Sequence, residues 1–372
     1  MNKAIHDDKS FPLNILYFYL TKGCNLACRH CWIAPKFQKD GHIYPSLPLN
    51  LFRSVICQAK PLGLNTIKLT GGEPLLHPAI ADILELTRIE KLRLVVETNG
   101  VLCSPILARK IAECKNPFVS VSIDGTDAET HEWLRGVPGC YEAALSGVRN
   151  LVDVGLKPQL IMTLNRRNRN QIDDFLKLAE SLGCGSIKFN MIHNVGRGEI
   201  MHRDGETLPI EELVTINEYL ENSLSKSTKL NVFASHPLAF RPLSRMFGSL
   251  GNGCNTCGIL GILGVLADGS YALCGIGETI PELTFGNAAR DKLEDIWGKS
   301  IVLQEIRKGV HEQLKGICSM CIVKNICLGH CIANNYHNSK DLWAPYWYCE
   351  EAYKAGLFPE GRLIEYGNSD HN

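Results

Sequence analysis

The sequence predicts an α/β protein: a partial (β/α)6 barrel over residues 1–235, then, across a linker at 236–253, a small cysteine-rich domain at 254–372. Three observations predict it. Short apolar runs rich in β-branched residues alternate six times with segments whose apolar residues recur at helical spacing, the pattern of parallel strands joined by right-handed crossovers. Six units fall short of the eight that close the usual barrel. Beyond residue 250 the character changes, because eight of the sixteen cysteines lie there.

The six predicted strands are "NILYFYL" (14–20), "TIKLT" (66–70), "LRLVVET" (92–98), "FVSVSID" (118–124), "QLIMTL" (159–164) and "SIKFNMI" (186–192). Between them, "LFRSVICQAKPLG", "AIADILELTR", "ILARKIAEC", "YEAALSGVRNLVDVG" and "QIDDFLKLAESLG" have helical periodicity. The later segment "PIEELVTINEYLENSLSKSTKL" is an amphipathic helix that covers core. "HPLAFRPLSRMFG" reads as a packed linker, with a substrate channel wall as the alternative.

In parallel β/α architectures chemistry gathers at the carboxyl ends of the strands. The first strand is followed by Cys24-x3-Cys28-x2-Cys31 and the second by "GGEP", Gly71 to Pro74. Then come "ETNG" (97–100), "SIDG" (122–125), Asn165 and "HNVGRG" (193–198). Each turn alone is ordinary, but their convergence on a cysteine loop at one face describes a cofactor site. A closed structural metal site takes four protein ligands, and a four-iron cluster takes one thiolate per iron. Three cysteines leave one corner open.

Composition narrows the function classes. Lys plus Arg and Asp plus Glu both number 39, and no basic run stands out, so neither nucleic acid nor an anionic membrane is an expected partner. The N-terminal "MNKAIHDDKSFPLN" has no apolar signal core, and no apolar run reaches about 18 residues, which predicts a cytoplasmic protein. Cysteines there are ligands, catalytic groups or buried thiols rather than disulfides. Cys57, Cys103, Cys114, Cys140 and Cys184 read as core packing, with Cys140, close to the active face, as the exception.

The Cys24–Cys28–Cys31 loop together with Gly71-Gly72-Glu73-Pro74 resembles the core of the radical S-adenosylmethionine (radical SAM) superfamily, over roughly residues 14 to 200. An aromatic residue often precedes the third cysteine in that family; His30 stands there. The resemblance implies that Cys24, Cys28 and Cys31 hold the catalytic [4Fe-4S] cluster, whose open iron chelates S-adenosylmethionine (SAM). Reductive cleavage would then yield a 5'-deoxyadenosyl radical. It also implies that the Gly71–Gly72–Pro74 turn and Glu73 hold the methionyl ammonium, that Ser122 and Arg135 meet the carboxylate and ribose, and that Asn99 contacts the nucleoside. The charges agree, since an ammonium wants acceptors and a carboxylate wants a guanidinium fork. A surface Arg135 paired with Glu132 is the alternative, and His131 reads as packing.

The second cysteine set reads Cys257-x11-Gly269-x4-Cys274, then Cys318-x2-Cys321-x5-Cys327-x3-Cys331, then Cys349. Two zinc sites would also use eight cysteines, but this spacing resembles the SPASM domain, a small α+β extension of radical SAM enzymes that act on peptides and proteins. The resemblance implies auxiliary cluster I on Cys254, Cys257, Cys274 and Cys331 and auxiliary cluster II on Cys318, Cys321, Cys327 and Cys349, three [4Fe-4S] clusters in all. Fully ligated auxiliary clusters would serve electron transfer.

The activity so implied is that of a peptide or protein maturase, in which the radical abstracts hydrogen from a residue of a ribosomally made peptide, leading to a crosslink, oxidation or epimerisation. Two alternatives stand beside it: a formylglycine-forming sulfatase maturase, and an oxidoreductase for a small, tetrapyrrole-type molecule. Sulfatase maturases place an aspartate after the third cysteine of auxiliary cluster I, where this chain has Gly275, which counts against the first. Expected partners are a peptide or small protein substrate, a low-potential ferredoxin or flavodoxin, and a separate leader-binding protein, since no leader domain precedes the first strand. A plain electron carrier would not need a three-cysteine site beside "GGEP", and a tRNA-modifying enzyme would show a basic face.

Overall fold

The computed structural model describes residues 11–38, 44–248, 253–254, 256–310 and 312–364. The stretch at 1–10, the linker residues 249–252 and the tail at 365–372 lie outside the described residues.

All six predicted strands form: β1 (Ile15–Tyr19), β2 (Thr66–Thr70), β3 (Arg93–Thr98), β4 (Lys115–Ser122), β5 (Gln159–Leu164) and β6 (Ser186–Met191). They lie side by side in chain order, each parallel to the next. The crossover helices Leu49–Ala59, Ile80–Ile89, Pro105–Ala112, Cys140–Asp153 and Ile172–Ser181 follow the predicted periodicity. This consecutive order makes the open, barrel-like curve expected of six β/α units.

The sheet continues past both ends of that set. β7 (Asn231–Ala234) pairs in parallel with β6, and β8 (Ile262–Val265), from the cysteine-rich region, pairs in parallel with β1. β9 (Ser270–Ala272) and β10 (Thr284–Asn287) add antiparallel strands beyond β8. A single ten-stranded sheet therefore runs through both regions, with buried residues from 13 to 358 in one apolar cluster. The period of two along each strand turns Tyr17 and Tyr19, Lys68 and Thr70, Glu97, Ser122, Lys188 and Asn190 toward one cavity on the inner face.

The linker is packed. Glu221 forms ion pairs with Arg241 (3.2 Å) and Arg245 (3.0 Å), and the His236 ring, its pKa lowered by burial to about 3, packs 3.3 Å from the same carboxylate, so 236–245 is fixed against the helix Ile210–Asn222. Cys103, Cys114 and Cys184 are buried as expected, but Cys57 is exposed. Its helix buries Phe52, Val55, Ile56 and Ala59, and helical spacing turns position 57 away from that stripe. Among the described residues, no helix is long and apolar enough to cross a membrane.

Candidate active site

The cysteine loop is held by the motifs that follow the other strands. Gly23–Cys24 pairs in parallel with Lys36–Phe37, closing the loop at its base. The Ala27 and Arg29 amides donate to the carbonyls of Arg135 (3.1 Å) and Leu134 (2.8 Å), seating the loop on the end of helix Ala128–Arg135. The Arg197 amide, from the turn after β6, donates to the Cys31 carbonyl at 3.0 Å. The "GGEP" turn approaches closest: Gly72 and Glu73 amides donate to the Thr21 and Gly23 carbonyls at 3.0 and 3.1 Å. A Cβ at position 72 would lie 1.9 Å from the Gly23 oxygen, so only glycine fits.

Cys24 and Cys28 are buried and Cys31 half-buried. Burial pushes the Cys24 thiol far up, and the neighbouring Cys28, Glu73 and Cys31 add to it; Cys28 is also raised by burial, against the pull of Arg135. Thiolates so placed are stable only beside a cation, which makes the set a fitting donor set for iron. Among the described residues, no three His, Cys, Asp or Glu side chains could hold a single metal ion. A four-iron cluster makes no such demand, since each thiolate binds its own iron.

His30, Gly71, Gly72, Glu73, Asn99, Ser122 and Arg135 all line the same cavity as these cysteines; Pro74 does not, being buried behind the turn as the first residue of Pro74–Leu76. Glu73 is already engaged. Its carboxylate accepts from the Leu75 amide (3.0 Å), the Thr98 hydroxyl (2.6 Å) and the Asn99 amide (2.9 Å), so it ties the turn to β3. Asn99 donates to Asn25 Oδ1 at 2.8 Å. Arg135 is buried and pairs not with Glu132 but with Asp124, Nε to Oδ2 at 2.6 Å, while a second nitrogen reaches Cys28 Sγ at 3.7 Å. The pair lies off the line of a hydrogen bond, so its attraction is chiefly ionic. His30 stands 4.0 Å from Asp124, and burial lowers its pKa to about 4. His131 is buried, accepting from the Asp124 amide at 3.1 Å. Cys140 packs behind Cys24 and Cys28, outside the cavity lining.

The cavity holds about 440 Å³, and its far wall comes from the cysteine-rich region. Cys257, Cys274 and Cys331 line it together, each close enough to influence the others' ionisation. Cys254 is half-buried against the apolar core and does not line the cavity with them. Cys318, Cys321, Cys327 and Cys349 converge elsewhere, around a second, apolar pocket walled by Pro237, Ala239 and Phe358. All four interact electrostatically there, which suits a buried cluster.

Several residues in or beside the lining were not singled out in the sequence reading, although the turns that carry some of them were. Lys68 (2.6 Å from Glu97) and Lys188 stand inside strands, where a lysine in an apolar run was the available signal. His193 and Arg197 belong to the "HNVGRG" turn, and His330 precedes Cys331. Asp124, the third residue of the "SIDG" motif, is not itself in the lining but pairs with Arg135, which is. Position 275 also gains a reason: a Cβ there would lie 2.3 Å from the Tyr19 ring, so Tyr19 fills the space that an acidic side chain would need.

Comparison with known proteins follows this geometry. The radical SAM superfamily pattern matches residues 18–179, and an iron-sulfur cluster-binding (SPASM) domain pattern matches 254–322. The AdoMet-dependent heme synthase of Methanosarcina barkeri is 29% identical over 90% of this chain and 95% of its own length. The Fe-coproporphyrin III synthase of that organism is 31% identical over 55% of this chain and 53% of its own. A probable GTP 3',8-cyclase of Saccharolobus islandicus is 31% identical over 60% and 70%. In fold, the chain is similar to Streptococcus suis SuiB bound to S-adenosylmethionine (TM-score 0.72, 19% identity, 92% of this chain and 78% of that one). It is also similar to anSMEcpe with bound AdoMet and a peptide (0.68, 17%, 92% and 95%). The expected peptide substrate thus ranks behind its small-molecule alternative, since relatives aligned over most of both chains are AdoMet-dependent heme synthases. The chain belongs to the radical SAM superfamily and is a SAM-dependent enzyme with a C-terminal SPASM iron-sulfur domain.

Proposed function

We propose that this enzyme is a radical SAM oxidoreductase acting on a carboxylate-bearing tetrapyrrole. The observation that carries this reading is the alignment with a heme synthase along 95% of that relative's length, continuing into the region that forms the far wall of the cavity. A cavity lined by Lys68, Lys188 and Arg197 suits a polyanion.

Cys24, Cys28 and Cys31 would hold the first cluster, with SAM lying against His30, Gly71, Gly72, Asn99, Ser122 and Arg135. When bound, cluster and SAM supply a carbon radical able to take hydrogen from an unactivated carbon. Glu73 positions the "GGEP" turn and Asn99. Asp124 holds Arg135, and the apolar wall of Ile161, Ile192 and Ile262 keeps water from the reacting carbon. Cys257, Cys274 and Cys331, with Cys254 as fourth ligand, would hold auxiliary cluster I at the other end. Cys318, Cys321, Cys327 and Cys349 would hold auxiliary cluster II, and a low-potential ferredoxin or flavodoxin would supply electrons.

The test is anaerobic reconstitution with iron and sulfide, then SAM and dithionite with or without Fe-coproporphyrin III. The proposal expects the tetrapyrrole to stimulate 5'-deoxyadenosine release and to change in mass. Release that ignores the tetrapyrrole but responds to a ribosomal precursor peptide would restore the maturase reading.

A further inference from the structure

We propose that Lys188, with His193 and His330 beside it, forms the subsite for one carboxylate of the substrate; this rests on the tetrapyrrole reading above. Lys188 lies on β6 and faces the cavity. Two lysines share a single carboxylate here: Glu97 is 2.6 Å from Lys68, and Lys188 has no ion pair among the described residues. Lys68 is further occupied by the Tyr17 ring, 4.6 Å away. The lysine pair with Glu97 thus leaves Lys188 without a counter-ion of its own at the cavity wall, where burial lowers its pKa.

His193 and His330 line the same cavity as Lys188. His193 follows the end of β6, is within electrostatic reach of Lys188, and has a buried Nδ1 with no hydrogen-bond partner. His330 comes from the cysteine-rich region, interacts with both His193 and Lys188, and is braced by the Tyr346 ring at 4.4 Å. None of the three is used in holding the cysteine loop, Glu73 or Asp124. An ammonium and an imidazole nitrogen without protein partners among the described residues, lining one cavity beside a second imidazole, describe a site for an anion with several lone pairs, and a carboxylate meets that description. A buried charge left unpaired is costly, so ligand binding would complete what the fold leaves open.

A carboxylate could come from the substrate or from SAM itself. The placement favours the substrate. Arg135 and Arg197 stand by Cys28 and Cys31, whereas Lys188 is within electrostatic reach of the Lys68–Glu97 pair, and Lys68 within electrostatic reach of Cys257 on the auxiliary side.

The experiment compares reconstituted wild type with Lys188→Gln and Lys188→Arg, measuring affinity for Fe-coproporphyrin III by its visible absorption and affinity for SAM by calorimetry, with iron content checking the fold. Loss of one charge-assisted contact predicts tetrapyrrole binding weaker by about tenfold to a hundredfold in Lys188→Gln, partial recovery in Lys188→Arg, and unchanged SAM affinity. Equal tetrapyrrole affinity in wild type and Lys188→Gln, or a loss confined to SAM, would overturn the subsite while leaving the substrate reading intact. A wild type that binds no Fe-coproporphyrin III overturns both. If Lys188→Gln fails to take up iron, the decision passes to His193→Gln, for which the same weakening is expected and equal affinity is again refuting.

Discussion

Asp124→Asn tests how the fold aims Arg135 at the cysteine loop. Asp124 is fully buried, its Oδ2 is 2.6 Å from Arg135 Nε, and its Oδ1 accepts from the Thr163 amide at 2.7 Å. Asparagine preserves shape and can still accept from Thr163, but it leaves a buried guanidinium without its counter-ion. Breaking a buried pair from one side costs about 3–5 kcal/mol, and the retained amide contact places this case near the lower end, about 3 kcal/mol. An unfolding entropy of about 2.1 cal/mol/K per residue gives roughly 0.8 kcal/mol/K for 372 residues, so Tm should fall by about 4 °C. Differential scanning fluorimetry of the reconstituted protein under argon, with SAM affinity alongside, is the assay. A Tm within about 1 °C of wild type and unchanged SAM affinity would refute the reasoning. Burial alone would raise the Asp124 pKa, but Arg135, His30, His131 and the Thr163 amide together hold it below the usual carboxylate range. Its contribution is therefore present above the unfolded value of about 3.9 and is lost as pH falls through the lower folded value. The gap between wild type and Asp124→Asn should close below about pH 4.

Gly72→Ala forces the "GGEP" turn away from the Gly23 carbonyl, costing about 2 kcal/mol, and should lower iron occupancy of the first cluster; full occupancy would show that the contact is not needed. If Cys318, Cys321, Cys327 and Cys349 hold a cluster of their own as proposed, Cys349→Ala should remove about four irons per chain while the electron paramagnetic signal of the first cluster remains, and a loss of all iron would argue against separate sites. Gly275→Ala should cost about 1–3 kcal/mol in the wild-type background and less with Tyr19→Ala, because the Tyr19 ring is what a Cβ would meet; equal costs in both backgrounds would exclude that explanation.

Local features were legible in the sequence because they are set by neighbours in the chain. The six parallel strands are short apolar, β-branched-rich runs between turn residues, and the cysteine spacings survive as written because a few residues of loop determine them. The pairing of Ile15 with Ile262, which joins the cysteine-rich region to the barrel sheet, depends on tertiary contact that no local pattern encodes. The same limit hid the far wall of the cavity. Lys68 and Lys188 read as ordinary polar interruptions of strands, and only the folded chain brings Lys188 to His193 and His330. Arg135 was legible as a cation near the cofactor, but its partner was not: helix spacing suggested Glu132, whereas the fold delivers Asp124 from the end of β4.

The most direct measurement is isotope transfer. The reconstituted enzyme is given Fe-coproporphyrin III deuterated on its propionate side chains, with SAM and dithionite, and the 5'-deoxyadenosine is analysed by mass spectrometry. If the cavity between the two cysteine sets holds the tetrapyrrole for radical attack, deuterium appears in the 5'-deoxyadenosine as the tetrapyrrole is converted. Unlabelled 5'-deoxyadenosine, with the tetrapyrrole recovered unchanged, would contradict the account.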